Sequence, residues 1–327
     1  MRVLFAGSPA IAVPSLEALC AMHNREGIEP AGVLTNPDSP KGRHGTPQPT
    51  ETAEAAAKIL RRFEEKGRAV FPILKPEKLD AIAREQVCAL KPDLLVSFAY
   101  GRIFGPKFLA LFPLGGINIH PSLLPKYRGP SPIQAAILNR DGETGITVQT
   151  LAPEMDCGDI LASEKFQLTG KETADSLGEI MAQRAAALMC ETLKKIAART
   201  VRLAPQNHAE ASYCRLISKE DGLVDWKMSA AEIDAKVRAF TPWPLCRTIH
   251  NERELFILKT AVYRGAAGEG GQAKPGQVLG IDKEDGILVQ TGEGILAVTE
   301  LQYQSKKALF WRDFLNGARD FTCSQLG

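Results

Sequence analysis

The chain has 327 residues, more than one ordinary core accommodates and enough for two domains. Its 44% hydrophobic and 24% charged residues are those of a globular protein, which excludes a disordered or fibrous chain. A formal net charge of +2 gives no basic excess that would point to nucleic acid.

Taken in chain order, Arg2–Ala6 is a short β-prone run that meets Gly7-Ser8-Pro9 and then a helical pattern over Ala10–Cys20, the opening of a βα unit. Ile28–Leu34 reads as the next strand. Thr35–Thr50 is rich in Pro, Gly and basic residues and lacks a core pattern, as expected of a functional or disordered loop. Glu51–Lys66 is predicted helical, Ala69–Leu74 a strand, Lys78–Leu90 helical and Leu94–Phe98 an apolar strand. Gly116–His120 follows as a strand, Ser131–Asn139 as a helix, Gly145–Leu151 as a strand and Lys171–Ala198 as a long closing helix. The alternation predicts an α/β fold with a doubly wound, mainly parallel sheet.

The pattern changes near residue 200. Val201–Ser212 is a polar connector. Ala230–Phe240 and Arg312–Asn316 read as helices. Between them, Arg247–His250, Glu254–Val262, Gly276–Ile281, Gly286–Gln290 and Gly294–Leu301 are short strand-like runs with glycine turns, which predicts a small β-barrel. The expected organisation is a first domain over 1–200, a linker over 201–212 and a second domain over 213–327.

Cys20, Cys88, Cys157, Cys190, Cys214, Cys246 and Cys323 stand singly with no CxxC spacing, so no zinc site is expected and free thiols in a cytoplasmic protein are. Met1–Pro9 is too short for a signal peptide, and no run reaches the roughly 18 apolar residues that span a bilayer. The chain is expected to be cytoplasmic, non-membrane and monomeric.

The densest polar segment is Gly115–Pro132. Asn118 and His120 alternate along one strand and so face one side, at the carboxyl end where open α/β sheets hold ligands. The amide can donate to an oxygen gaining negative charge, and the imidazole can donate or move a proton. The same residues also suit a strand end that caps backbone groups. Asp156, in Pro153-Glu154-Met155-Asp156-Cys157-Gly158-Asp159, is placed to reach His120 if the two strands end close together; a carboxylate there would orient the imidazole and raise its pKa. Taken alone, that segment is also an ordinary turn sequence. Gly7-Ser8-Pro9 is no GxGxxG fingerprint, so no dinucleotide site is read there.

Asn118-Ile119-His120, Ser122-Leu123-Leu124-Pro125 and Asp156 with Gly158 and Asp159 resemble, in order and spacing, the 10-formyltetrahydrofolate-dependent formyltransferase superfamily. That resemblance implies a Rossmann-like formyltransferase domain and a catalytic trio of Asn118, His120 and Asp156. It also implies a folate pocket lined by Ser122, Leu123, Leu124 and Pro125, with Phe98 and Tyr100 beside them. Pro121 departs from the pattern, which has a small residue such as glycine there. Phe5-Ala6-Gly7-Ser8-Pro9, Tyr127-Arg128-Gly129 and Ala239-Phe240-Thr241-Pro242-Trp243-Pro244 resemble the branch that formylates methionyl-tRNA. The later segments of that branch form an OB-like barrel.

The resemblance implies 10-formyltetrahydrofolate as formyl donor, initiator methionyl-tRNA as acceptor and no metal. It implies tRNA contacts from Lys41, Arg43 and His44 in the 35–50 loop and from Lys306 and Lys307; the alternative is a sugar-nucleotide amine as acceptor. On this reading Asn118 and a protonated His120 stabilise the oxyanion of the tetrahedral intermediate, while Asp156 keeps the imidazole charged.

Overall fold

The structure is a computed structural model that describes residues 1–23, 27–40, 45–265, 273–318 and 320–327. These residues form two compact units, one of 1–132, 143–167 and 178–214, the other of 133–142, 168–177 and 215–327.

The first unit opens with β1 (Arg2–Gly7), buried at every residue after Arg2 as a strand covered on both faces must be. Helix α1 (Val13–Ala21) has Pro14 in its first turn, where a missing N–H breaks no helix bond. After β2 (Glu29–Leu34) the chain makes a two-residue ladder, β3 (Ser39–Pro40) with β4 (Pro47–Gln48). Helix α2 (Glu51–Glu65) starts where the Thr50 hydroxyl accepts from Ala53 N at 3.1 Å. There follow β5 (Ile73–Leu74), α3 (Ala81–Ala89, capped by Asp80), β6 (Leu94–Phe98), α4 (Pro106–Leu109) and β7 (Gly116–His120). Helix α5 (Pro132–Leu138), which apart from Pro132 belongs to the second unit, precedes β8 (Glu143–Thr150), β9 (Ile160–Gln167) and α6 (Ala174–Ala197), the last in the first unit from Gly178 onward.

The sheet runs β5-β2-β1-β6-β7-β8-β9. It is parallel from β5 to β7 and antiparallel at β7–β8 and β8–β9. The chain winds outward from β1 to β5 and returns to β6 on the other side of β1. Strand order therefore reverses between β1 and β6, and Asn118 and His120 lie toward the carboxyl end of β7, the strand beyond β6. Leu4, Ala6, Leu34, Leu95 and Tyr100 pack with Phe104, Phe108 and Phe112 into one apolar cluster.

Two sequence expectations shift here. The strand expected over Ala69–Leu74 pairs with β2 only at Ile73 and Leu74, because Pro72 has no N–H to give and Val70 is exposed. The Thr35–Thr50 loop carries the short β3–β4 ladder, while Lys41, Arg43 and His44 lie outside the described residues.

The second unit is built on an antiparallel sheet of β10 (Cys246–His250), β11 (Arg253–Val262), β12 (Val278–Asp282), β13 (Gly286–Gln290) and β14 (Ile295–Tyr303), ordered β10-β11-β14-β13-β12. A further strand, β15 (Leu309–Phe310), pairs with β14. The last residues bridge the two edges of the sheet: Ser324 O accepts from Val278 N (2.9 Å), Leu326 N donates to Gly276 O (2.9 Å) and Gly327 N to Ile249 O (3.1 Å). This completes the small barrel. Helix α7 (Ala230–Ala239) begins in a capping box of Ser229 and Glu232, and α8 (Trp311–Gly317) sets Phe314 against Tyr303 and Phe321. Trp226 and Trp311 are core residues, whereas Trp243 is exposed.

Among the described residues no helix is long and apolar enough to cross a membrane, and no group of three or more His, Cys, Asp or Glu is assembled to hold a metal.

Candidate active site

The antiparallel register of β7 and β8 sets Asn118 opposite Gln149 and His120 opposite Thr147, so all four side chains share one face. Thr147 then fixes the loop that follows β7. Its hydroxyl donates to Ser122 O at 2.8 Å and accepts from Leu124 N at 3.1 Å, while Ser122 Oγ donates to Lys126 O at 2.5 Å.

Asp156 reaches this face through a tight turn after β8. Its own φ is +56°, a left-handed conformation that favours glycine or a short polar residue. Two residues on, a Cβ on Gly158 would lie 1.8 Å from Thr150 O, so only glycine fits. Thr150 closes the turn: its hydroxyl accepts from Asp159 N at 2.9 Å and its own N–H donates to Asp159 O at 2.9 Å. The Asp156 carboxylate thereby turns back toward β7. Oδ1 accepts from Gln149 Nε2 at 2.9 Å and from Asn118 Nδ2 at 3.4 Å, and Oδ2 accepts from Gly129 N at 2.8 Å. His120 Nδ1 stands 3.5 Å from Oδ1. The sequence-predicted trio is thus assembled in one place.

Opposing influences act on the protonation of His120. Nε2 lies 2.8 Å from Tyr127 O, and a carbonyl can only accept, so Nε2 carries the proton. Burial pushes the imidazole below its ordinary pKa, more than Asp156 and the Tyr127 carbonyl raise it. In the neutral ring the Nδ1 lone pair is turned toward the carboxylate. Desolvation of the ring, which is 4% exposed, thus works against the charge that Asp156 is expected to support.

Of the expected folate residues, Ser122 and Leu124 are buried and held to β8, and Leu123 and Pro125 are half-buried. Phe98 and Tyr100 are each 1% exposed, and Tyr100 stacks on Phe104 at 5.3 Å inside the apolar cluster. Both side chains are thus packed in the core. In the second unit Lys306 and Lys307 are exposed on the turn between β14 and β15, where Lys306 N donates to Tyr303 O at 2.9 Å.

Sequence reasoning passed over Gln149 and Gln206, and gave Arg128 no role beyond its place in the Tyr127-Arg128-Gly129 motif. Gln149 had a signal, since it alternates with Thr147 along a strand whose end was already singled out. Gln206 had none: it sits in an irregular connector, and only tertiary folding brings it beneath Asp156. Burial raises the neighbouring thiols of Cys157 and Cys214 above their ordinary pKa, so neither is a ready nucleophile.

Residues 1–193 match the formyl transferase family model, and residues 216–319 match that of the formyl transferase C-terminal domain. The chain belongs to the formyl transferase family. It is 49% identical over 322 residues to a methionyl-tRNA formyltransferase of Treponema denticola, covering 98% of both chains. It is 36% identical over 325 residues to that of Borreliella burgdorferi, covering 98% of this chain and 96% of the relative.

Among solved structures it resembles an N-formyltransferase from Helicobacter canadensis in complex with folinic acid and dTDP-3-aminofucose (TM-score 0.65, 20% identity, 93% of this chain and 99% of that one). It also resembles HypX from Aquifex aeolicus in complex with tetrahydrofolic acid (TM-score 0.62, 17% identity, 98% of this chain), and spans about half of that protein, 48%. At these identities the likeness is one of fold.

Proposed function

We propose that this formyltransferase moves the formyl group of 10-formyltetrahydrofolate to the free amine of methionyl-initiator-tRNA, in the cytoplasm. The observation that carries the reading is the convergence of Asn118, His120 and Asp156 at the carboxyl end of β7, in a chain matched along 98% of its length by methionyl-tRNA formyltransferases. The amine nitrogen attacks the formyl carbon, giving a tetrahedral intermediate with negative charge on the former carbonyl oxygen. Asn118 donates to that oxygen; its bond to Asp156, at 3.4 Å, is long enough to yield. His120 enters neutral and takes the amine proton on Nδ1. The imidazolium so formed gains a carboxylate at 3.5 Å that the neutral ring could not use, an interaction that strengthens as the reaction proceeds. The proton passes to N10 as the carbon–nitrogen bond to the folate breaks, leaving formylmethionyl-tRNA and tetrahydrofolate.

Ser122 to Pro125 and the backbone at the end of β6 are the proposed folate contacts. Lys306 and Lys307, together with Lys41, Arg43 and His44, are the proposed tRNA contacts, and 213–327 is the proposed tRNA-engaging domain. Formyl transfer to charged initiator tRNA, with charged elongator methionyl-tRNA and a nucleotide-linked amino sugar as competing acceptors, tests the reading. Preference for the initiator supports it, and transfer to the sugar alone overturns it.

A further inference from the structure

The catalytic turn is held from below by residues that do not face the reacting atoms. Gln206 is 6% exposed, and its side-chain amide is bonded on both sides. Its Oε1 accepts from Arg128 Nη2 at 2.7 Å and from Arg128 Nε at 3.1 Å. Its Nε2 donates to Gly158 O at 2.7 Å and Asp156 O at 2.9 Å, with Gln149 Oε1 at 3.2 Å. The backbone that leads away from the Asp156 side chain, at Asp156 O and Gly158 O, is thus tied to one amide group. Arg128 is among the largest fully buried side chains, and among the described residues the acceptors it meets are Gln206, the Tyr213 hydroxyl (3.3 Å) and His208 Nδ1 (3.1 Å), none of them a carboxylate.

A buried guanidinium without a carboxylate against it is costly unless it serves an arrangement nearby. Its chain neighbour Gly129 donates its N–H to Asp156 Oδ2. Gly129 has φ +112°, and a Cβ there would lie 2.2 Å from Cys214 O, so this N–H can be presented only by a glycine pinned under the 201–214 segment. Arg128 and Gln206 therefore connect three things: the Gly129 donor, the strained Asp156 backbone and the Gln149 amide that bonds Oδ1. These bonds converge on Asp156, whose φ of +56° lies in the left-handed region.

We infer that Arg128 and Gln206 are positioning residues for formyl transfer, which fix the Asp156 turn so that its carboxylate faces His120. The inference rests on the proposed role of the Asn118–His120–Asp156 centre. Its distinguishing variant is Gln206→Glu. A glutamate keeps the acceptor for Arg128, and with it the packing of the guanidinium, but loses the two donors to Asp156 O and Gly158 O and sets a negative charge against both carbonyls. Gln206→Leu removes both halves of the link.

Turnover and KM for 10-formyltetrahydrofolate and methionyl-tRNA are measured on both variants beside Asp156→Asn, with melting temperature and the Gly129 amide proton resonance as structural readouts. The expected result for Gln206→Glu is a kcat reduced at least tenfold, both KM values within threefold of wild type, and an upfield move of the Gly129 amide as its bond to Asp156 lengthens. Gln206→Leu loses as much or more turnover. A Gln206→Glu enzyme that keeps kcat within twofold while Asp156→Asn is inactive overturns the positioning role and leaves the site reading in place. Full activity in Asp156→Asn overturns the site reading itself. If Gln206→Leu fails to fold, Gln206→Glu, nearly the same size and still bonded to Arg128, decides alone.

Discussion

His120 turns one ring nitrogen to a carbonyl and the other to a carboxylate: Nε2 lies 2.8 Å from Tyr127 O, and Nδ1 lies 3.5 Å from Asp156 Oδ1. Neutral, the ring satisfies only the first contact. Protonated, it satisfies both, but in a setting where burial opposes the charge. The site thus holds a base that becomes a strong hydrogen-bond donor on the side of the carboxylate only after it has accepted a proton.

The titration of His120 follows from that balance. Its midpoint, followed by the imidazole resonances, is expected below the ordinary histidine value of about 6.5. In Asp156→Asn the raising influence of the carboxylate is gone, and the midpoint is expected lower still. A midpoint above 6.5 in the wild type would show that the ion pair outweighs desolvation.

The same depression makes stability depend on pH. Below about pH 6.5 the unfolded chain takes up a proton on this histidine that the folded chain refuses. The contribution of the buried neutral ring is therefore fully present above that pH, and is lost as the pH falls toward the lowered folded value. The slope approaches at most about 1.4 kcal/mol per pH unit. Urea unfolding from pH 7.5 to 5.5 is expected to show a larger loss for the wild type than for His120→Asn, which has no such proton to refuse.

Asn118→Ala tests the oxyanion donor. Removing one such donor typically raises the barrier by about 3 to 4 kcal/mol, two to three decades in rate. Asn118 makes only a 3.4 Å bond to Asp156, so the fold is expected to be intact, with folate affinity little changed. A loss of turnover below tenfold with the protein folded would remove Asn118 from the mechanism.

Much of this was legible in the sequence, and the parts that were not share a physical cause. The strands β6 and β7 were read at their observed ends because a continuous apolar run and a Gly-Gly opening bound them sharply. Strand β9 went unread: it is the sheet's edge, alternates exposed Ser163, Lys165 and Gln167 with half-buried neighbours, and takes its identity from pairing with β8. Asn118, His120 and Asp156 were found because two of them alternate on a strand and the third adjoins a glycine turn. Gln206 lies 50 residues from Asp156 in a connector without periodicity, and no local pattern announces a residue whose role is set by a tertiary hydrogen bond. The burial of Tyr100 was illegible for a related reason: a polar aromatic at a strand's carboxyl end suits a pocket wall equally well, and only the fold shows the Phe104–Phe108–Phe112 run stacked beside it.

The capping box of α7 offers a check on the second unit that is independent of catalysis. Ser229 Oγ accepts from Glu232 N at 3.2 Å, and Glu232 Oε2 accepts from Ser229 N at 2.8 Å, satisfying two donors that the helix leaves open. The helix buries Ile233 and Val237. Ser229→Ala is expected to lower stability by about 1 kcal/mol, read as a shift of the urea midpoint of the transition that includes this unit.

Lys306 and Lys307 test the proposed tRNA contacts with least risk to the fold. Both are exposed on the turn after β14, where the bonds in which Lys306 takes part, Lys306 N to Tyr303 O and Gln302 Nε2 to Lys306 O at 2.7 Å, involve its backbone only. Their replacement by alanine is therefore expected to leave the melting temperature unchanged. Each lysine that neutralises a phosphate releases counterions, so the dependence of log Kd on log salt loses about 0.7 to 0.9 of slope per contact. For Lys306→Ala with Lys307→Ala, tRNA affinity is expected to fall at low salt and to converge with wild type as salt rises, with KM for 10-formyltetrahydrofolate unaltered. A double variant whose salt slope matches the wild type would mean that the turn faces solvent in the complex and that the phosphates are met elsewhere.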